Sequence, residues 1–385
     1  MSTQSWFDDC PDRRNKPGLK WGKYSGKDII PLWVADMDFR APPAVIQAAR
    51  EEADFGNYGY AKAHPGLVNS VLHHCKTMYD WKIDPNWLVW LPGMVCALNV
   101  CCRMQQNRAK QVMTHIPVYP PFLSAPGNFG IPCTQLPLKL EEGRFSMDFT
   151  LLENTPTCPG DLFMLCHPHN PVGTAFNRDE LLRFSQWARE RELLICSDEI
   201  HCDLLLDSGQ KHLPMAHLDK ETAEHTITLM APSKTYNLPG FGCSFAVISN
   251  SDLRTRFKKA MSGIVPDPAV MGFRLTEIAY RDAEDWRQAL LGYLRTNRDL
   301  TISRLQKIPG LLPYSPVATY LLWIDARELP VDHPHRFFEE HGVGLSDGKD
   351  FGAPGYLRLN LGCSRSLLEQ ALDRMERACA GLSKA

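Results

Sequence analysis

The stretch DLFMLCHPHNPVGTAFNRDELLRFSQWARERELLICSD, residues 161–198, decides the fold. It opens on a short apolar run (DLFMLC, 161–166), turns through HPHNPVG, continues as an amphipathic segment and closes on a second apolar run (LLICS, 193–197). Runs that are apolar throughout suit strands covered on both faces, and parallel strands need a crossover such as the helix between them. Asn177 and Glu180 stand at capping-box spacing, which predicts a helix over RDELLRFSQWARERE. Strand, helix, strand predicts an α/β protein whose mostly parallel sheet is flanked by helices.

Two further strands, TITLM (226–230) and FAVIS (245–249), bracket the segment APSKTYNLPGFG (231–242). Lys234 stands there among small, apolar and turn-forming residues, with no acidic partner within five positions. A surface lysine needs no such setting, and a buried one is costly unless chemistry uses it. Asp198 follows its strand directly in SDEIHCDL, Asn170 lies in the turn HPHNPVGT, and Lys234 follows its strand by four residues. An amide, a carboxylate and an amine are thereby expected at the carboxyl edge of one sheet, where open α/β sheets bind ligands.

Those are the parts a pyridoxal phosphate enzyme requires. A lysine condenses with the aldehyde, and an apolar setting that lowers its pKa lets it act as nucleophile and base. A carboxylate keeps the pyridine nitrogen protonated, and Asn170 supplies a hydrogen bond to the ring oxygen. The phosphate needs backbone N–H groups at a helix start, which LPGMVCALNV (91–100) offers around Gly93, Met94 and Val95.

Outside this core, the pattern becomes more helical from about residue 272. Two strands follow, VATYLLWI (317–324) and YLRLNLG (356–362), and then a last helix framed by Ser366 and Glu369, with Leu368, Leu372, Met375 and Cys379 at helical spacing. The expected division is an N-terminal segment (1–45) packing with the small domain, a large domain (46–285) and a smaller α+β domain (286–385). A length of 385 residues suits two such units.

Net charge is −2, which argues against a polyanion-binding surface and so against a nucleic-acid partner. The 13 cysteines are odd in number, scattered and without a C-x-x-C pair, a pattern of reducing surroundings rather than a disulfide framework. The start, MSTQSWFDDCPDRRNK, has no apolar signal core, and no stretch approaches the roughly 20 apolar residues of a membrane span. A soluble cytoplasmic protein is expected. His167 and His169 form H-x-H without further ligands at metal-binding spacing, so no metal is expected. His73, His74, His333 and His335 are read as exposed, and Gly342, Gly344 and Gly348 do not form a dinucleotide fingerprint.

The 28-residue spacing from N-P-V-G to S-D-E-I-H, together with S-K-T-Y-N, resembles the fold-type-I class I/II aminotransferase superfamily. WVADMDFRAPPAVIQAA (33–49), YGYAKAHPGL (58–67), VYPPF (118–122), SDEIHCDL, APSKTYNLPG and FGAPGYLRLNLGCSR (351–365) narrow it, being similar to the MalY/PatB branch of C–S β-lyases. These motifs run through nearly the whole chain. The resemblance implies Lys234 as the Schiff-base lysine, Asp198 as the pyridinium partner, and Asn170 and His201 near the ring oxygen. Tyr119 would stack on the ring, Ser233 would touch the phosphate, and Arg358 would grip the substrate carboxylate, with Ala35 near the substrate. Tyr60 would reach the phosphate of a neighbouring subunit, making a homodimer with shared active sites. The superfamily often has a phosphate-binding arginine eight positions after the lysine and a serine three before it; Gly242 and Ala231 stand there instead.

Implied with the branch is β-elimination from cystathionine or another S-substituted L-cysteine, with an aminotransferase as the alternative. Residue spacing does not separate the two, since both need the same groups up to the carbanion; the resemblance favours the lyase. A binding protein on an enzyme scaffold is the third reading, and the joint presence of Lys234, Asp198, Asn170 and Arg358 argues against it.

Overall fold

The computed structural model describes residues 5–382; residues 1–4 and 383–385, the outer ends of the first and last expected segments, lie outside it. A seven-stranded sheet forms the centre, in the order Leu88–Leu91, Ser244–Val247, Thr226–Met230, Leu194–Asp198, Leu162–Cys166, Val112–Ile116, Cys133–Pro137. Only Ser244–Val247 runs against its neighbours. Every residue of the strands 162–166, 194–198 and 226–230 is buried, as unbroken apolar runs require of a sheet covered on both faces.

One face packs on the helices Met94–Gln105 and Ser251–Met261 through Leu98, Cys101, Leu253 and Phe257. The other packs on Arg178–Glu190 through Leu181, Phe184 and Trp187. Asn177 and Glu180 form the reciprocal capping box predicted for that helix, an arrangement worth about 1 kcal/mol.

A second, antiparallel sheet runs Leu312–Tyr314, Leu321–Asp325, Tyr356–Asn360, Ser346–Asp347. The long helix Glu284–Leu305 and the last helix Arg365–Leu382 lie with it. The chain's beginning joins this end: Ile30–Pro31 pairs in parallel with Val343–Gly344. Among the described residues no helix is long and apolar enough to cross a membrane.

Several expectations change in detail, among them LLICS, whose strand is Leu194–Asp198, so that Asp198 ends the strand instead of following it. The strand expected from residue 317 starts at Leu321, because Pro316 precedes it and Thr319 takes a left-handed φ of 73°. FAVIS is displaced by one residue at its start, the strand being Ser244–Val247. The last helix begins before Ser366: Ser364 Oγ accepts from Leu367 N at 3.3 Å, so Ser364 caps it. His74, expected exposed, is buried, with Nε2 3.0 Å from both Asp203 carboxylate oxygens. Asp203 lies 129 positions away in sequence, so no local signal marks the pair.

Candidate active site

The carboxyl ends of the central strands open into a cleft walled by residues from several loops and strand ends, the setting in which open α/β sheets bind small molecules. Cys166 and Asp198 end adjacent strands and are paired in register, and both line it. Alternation along the strand end sends the two acids of SDEIH opposite ways. Asp198 faces the cleft, while Glu199 turns behind it to Ser197 Oγ (2.7 Å), His212 Nε2 (2.6 Å) and Met215 N (2.9 Å).

Asp198 accepts from Ile200 N at 3.1 Å and is buried. Burial pushes its carboxyl up to about 7, with Glu199 adding to the rise and Lys234 opposing it. Lys234 reaches the same cleft, half-buried, with Nζ 2.7 Å from Ala35 O. Enclosure first and Arg358 second pull its amine down to about 8, against the attraction of Asp36 and Asp198. An amine at that value is a competent nucleophile near neutral pH.

The remaining residues singled out in the sequence fall as follows. Gly93, Met94, Val95, Tyr119, Asn170, His201, Ser233 and Ala35 line the cleft. The helix Met94–Gln105 starts without a side-chain cap, so its first backbone N–H groups are free for an anion at that mouth. Arg358 is buried behind Asn170, with Nη1 3.0 Å from Asn170 Oδ1 and Nη2 2.8 Å from Trp33 O. Tyr60 is fully exposed and is not part of the cleft wall. His167 and His169 point to backbone carbonyls, those of Leu213 for the first and of Cys166 and Pro117 for the second.

Gly242 explains the missing arginine. Its φ of +50° is left-handed, and a Cβ there would sit 2.7 Å from Pro92 O. The turn is pressed against the entry to the phosphate-type helix and admits no side chain. Among the residues lining this mouth, the helix start and Ser233 offer hydrogen-bond donors and Lys234 is the cation in the wall.

Several contributors carry no local sequence signal. Residues 33–39 are irregular, and side chains from distant positions hold their carbonyls. Trp33 O receives Arg358 and Ser346 Oγ (2.5 Å), Val34 O receives Asn360 (2.7 Å), and Ala35 O receives Lys234 and Tyr320 OH (3.1 Å). Asn237, three residues after Lys234, reaches Met37 O and Phe39 O. Tyr320 is kept protonated by burial and so can serve as a donor to Ala35 O. The motifs WVADMDF, SKTYN and YLRLN are thus three parts of one hydrogen-bonded wall.

The lowered amine gives a direct test. The uncharged fraction of a group titrating at about 8 rises roughly tenfold from pH 7 to pH 9. Condensation of the apoprotein with an aldehyde such as pyridoxal phosphate, followed by absorbance, is expected to accelerate by about that factor. An exposed lysine, titrating near 10.4, would still be climbing steeply above pH 9.

The chain belongs to the aminotransferase class I and II family, whose model matches residues 27–375. Within that class it is 32% identical over 387 residues to cystathionine beta-lyase PatB of Bacillus subtilis (strain 168), covering 97% of this chain and 99% of PatB. Among solved structures, OvoB superposes with a TM-score of 0.94 at 42% identity, covering 97% of this chain and 98% of OvoB. Cystalysin from Treponema denticola, which contains pyridoxal 5'-phosphate, gives 0.92 at 30% identity, with coverage of 98% and 99%.

Proposed function

We propose that the chain is a pyridoxal 5'-phosphate-dependent carbon–sulfur β-lyase that cleaves cystathionine or another S-substituted L-cysteine to a thiol, pyruvate and ammonia. The observation that carries the reading is the meeting of Lys234, Asp198 and Asn170 at the carboxyl edge of the central sheet, with Arg358 of the small sheet bonded to Asn170. The fit to the cofactor rests on chemistry in the wall. A lysine amine faces a buried carboxylate, an uncapped helix start offers free amides, and His201 Nδ1 and Arg358 Nε are buried without protein partners. Burial pushes the His201 imidazole down to about 3, so it is neutral and can share a hydrogen bond with a ring oxygen.

When bound, pyridoxal phosphate supplies the aldehyde that receives the substrate amine and a ring that delocalises the electron pair left on the α-carbon. Asp198 holds a proton on the ring nitrogen and so makes that delocalisation favourable. Arg358 fixes the substrate carboxylate, which sets the α-hydrogen's direction; the planar fork makes lysine a poor replacement. Lys234, tethered through Ala35 O, removes that hydrogen as a proton. The β-substituent leaves as a thiolate, and the released three-carbon product hydrolyses to pyruvate and ammonia.

An aminotransferase would use the same residues and then return the proton to the cofactor rather than expel sulfur. The relationship to PatB, a cystathionine beta-lyase, supports the lyase. We read the active unit as a cytoplasmic homodimer with Tyr60 reaching the neighbouring subunit's phosphate. The exposure of Phe55, Tyr58 and Tyr60 within six residues supports a partner surface there. The division 1–45, 46–285 and 286–385 belongs to the same reading.

The test is an absorbance spectrum of the purified protein, followed by a panel of S-substituted cysteines with pyruvate and thiol detection in the absence of any keto acid. Pyruvate and thiol in equal amounts are expected. Strict dependence on a keto-acid acceptor would make it an aminotransferase instead.

A further inference from the structure

A second lysine, this one fully buried, grips the same wall. Lys20 is fully buried, and its Nζ donates to Asp36 O at 2.9 Å and to Asp38 Oδ2 at 2.8 Å. Lys234 donates to Ala35 O, so two lysines hold consecutive peptide carbonyls. Asp38 is itself buried and also receives Arg13 Nη1 at 3.0 Å and Trp21 Nε1 at 2.9 Å. Arg13 continues the grip to the Asp36 carboxylate (2.6 Å) and to Met37 O (3.1 Å).

Burying an ammonium and a carboxylate together gives little net stability, because desolvation offsets their attraction, and an apolar pair would serve a core at least as well. What the pair supplies is direction. Six carbonyls between Trp33 and Phe39 take side-chain donors: those of Trp33, Val34, Ala35, Asp36, Met37 and Phe39. Lys20 and Arg13 are the donors that come from the N-terminal segment; the others come from the Lys234 loop and the small sheet with its flanks.

We propose that Lys20, with Asp38 and Arg13, is a positioning set for the substrate side of the cleft: it fixes the 33–39 wall so that Ala35 O meets Lys234 and Trp33 O meets Arg358. Lys20 touches neither substrate nor cofactor and acts through the wall. The kinetic part of this proposal rests on the lyase reading; the structural part does not.

Three proteins are compared: wild type, Lys20→Met and Lys20→Met/Asp38→Asn. The double variant removes the buried carboxylate whose only remaining charged partner in the single variant is the partly exposed Arg13, while the carboxamide oxygen that replaces it can still accept from Arg13 and Trp21. In Lys20→Met, KM for the fastest S-substituted cysteine is expected to rise about tenfold or more, with kcat within about threefold and cofactor content unchanged. The double variant is expected to regain the lost melting temperature but keep the raised KM. Without substrate, the amides of Asp36 and Asp38, which donate to Val34 O and Gly362 O, should exchange hydrogen at least about tenfold faster in both variants, while those of the Thr226–Met230 strand keep their wild-type rates. A KM that recovers with the melting temperature, or wall amides that exchange as in wild type, would overturn the proposal. If wild type eliminates thiol from no S-substituted cysteine, the lyase reading falls, while the exchange comparison still decides the role of Lys20.

Discussion

Lys234→Ala is expected to reduce thiol release by at least about 10⁴-fold, because in the proposed mechanism one side chain provides both the anchor for the aldehyde and the base for the α-proton. The variant should still fold. Lys234 is half-buried, its amine has one hydrogen bond to Ala35 O, and Tyr320 continues to satisfy that carbonyl. Borohydride reduction before digestion, followed by mass spectrometry, should find the phosphopyridoxyl group on Lys234 in wild type and on no residue in the variant. Added methylamine should restore part of the rate, since a small amine can occupy the space left by the side chain. Elimination at the wild-type rate in Lys234→Ala would remove the basis of the proposed mechanism.

Asp198→Asn is expected to lower kcat by about 10³-fold, at the upper end of what one electrostatic contact to a developing charge contributes. The substitution preserves shape and the acceptor for Ile200 N, so the loss isolates the negative charge. Apoprotein stability separates this effect from misfolding. The carboxyl of Asp198 is raised in the folded apoprotein to about 7 from an ordinary value of 3.8. A group raised on folding contributes stability that is present below its unfolded value and lost as pH climbs through its folded value. Wild-type apoprotein should therefore lose stability between about pH 4 and pH 7 at this residue, and Asp198→Asn should not. Thermal melts of both apoproteins across that range check the sign, and stopped assays of the loaded enzymes check kcat.

The central sheet was readable because its strands announce themselves locally. LFMLC, LICSD and TITLM are buried at every position, and the Asn177–Glu180 box marks the helix between the first two. Lys234, Asp198 and Asn170 are readable for the same reason, Asp198 ending such a strand, Lys234 lying four residues past one and Asn170 in the turn after one. The wall around Ala35 was not. Its donors, among them Lys20, Asn237, Tyr320, Ser346 and Asn360, lie from 16 to more than 300 positions away. A hydrogen bond to a carbonyl places no demand on the residue type that owns the carbonyl, so WVADMDF carries no mark of what holds it. Buried His74 was missed for a related reason: its partner Asp203 is set by the packing of two elements, not by spacing. The S-x-x-E spacing of Ser366 and Glu369 points to a start at Ser366, whereas the chain is turned into the helix by Ser364, two residues earlier.

The pairing of Ile30–Pro31 with Val343–Gly344, and the hold of Arg358 and Asn360 on Trp33 and Val34, bear on synthesis. A ribosome releases the first half of this pocket more than 300 codons before the second. Until the strand 356–360 leaves the exit tunnel, the carbonyls of Trp33 and Val34 lack the Arg358 and Asn360 donors that hold them. Closing a loop of that length is slow relative to forming local helices. The nascent chain is therefore expected to acquire its central sheet first and its vitamin B6 pocket last.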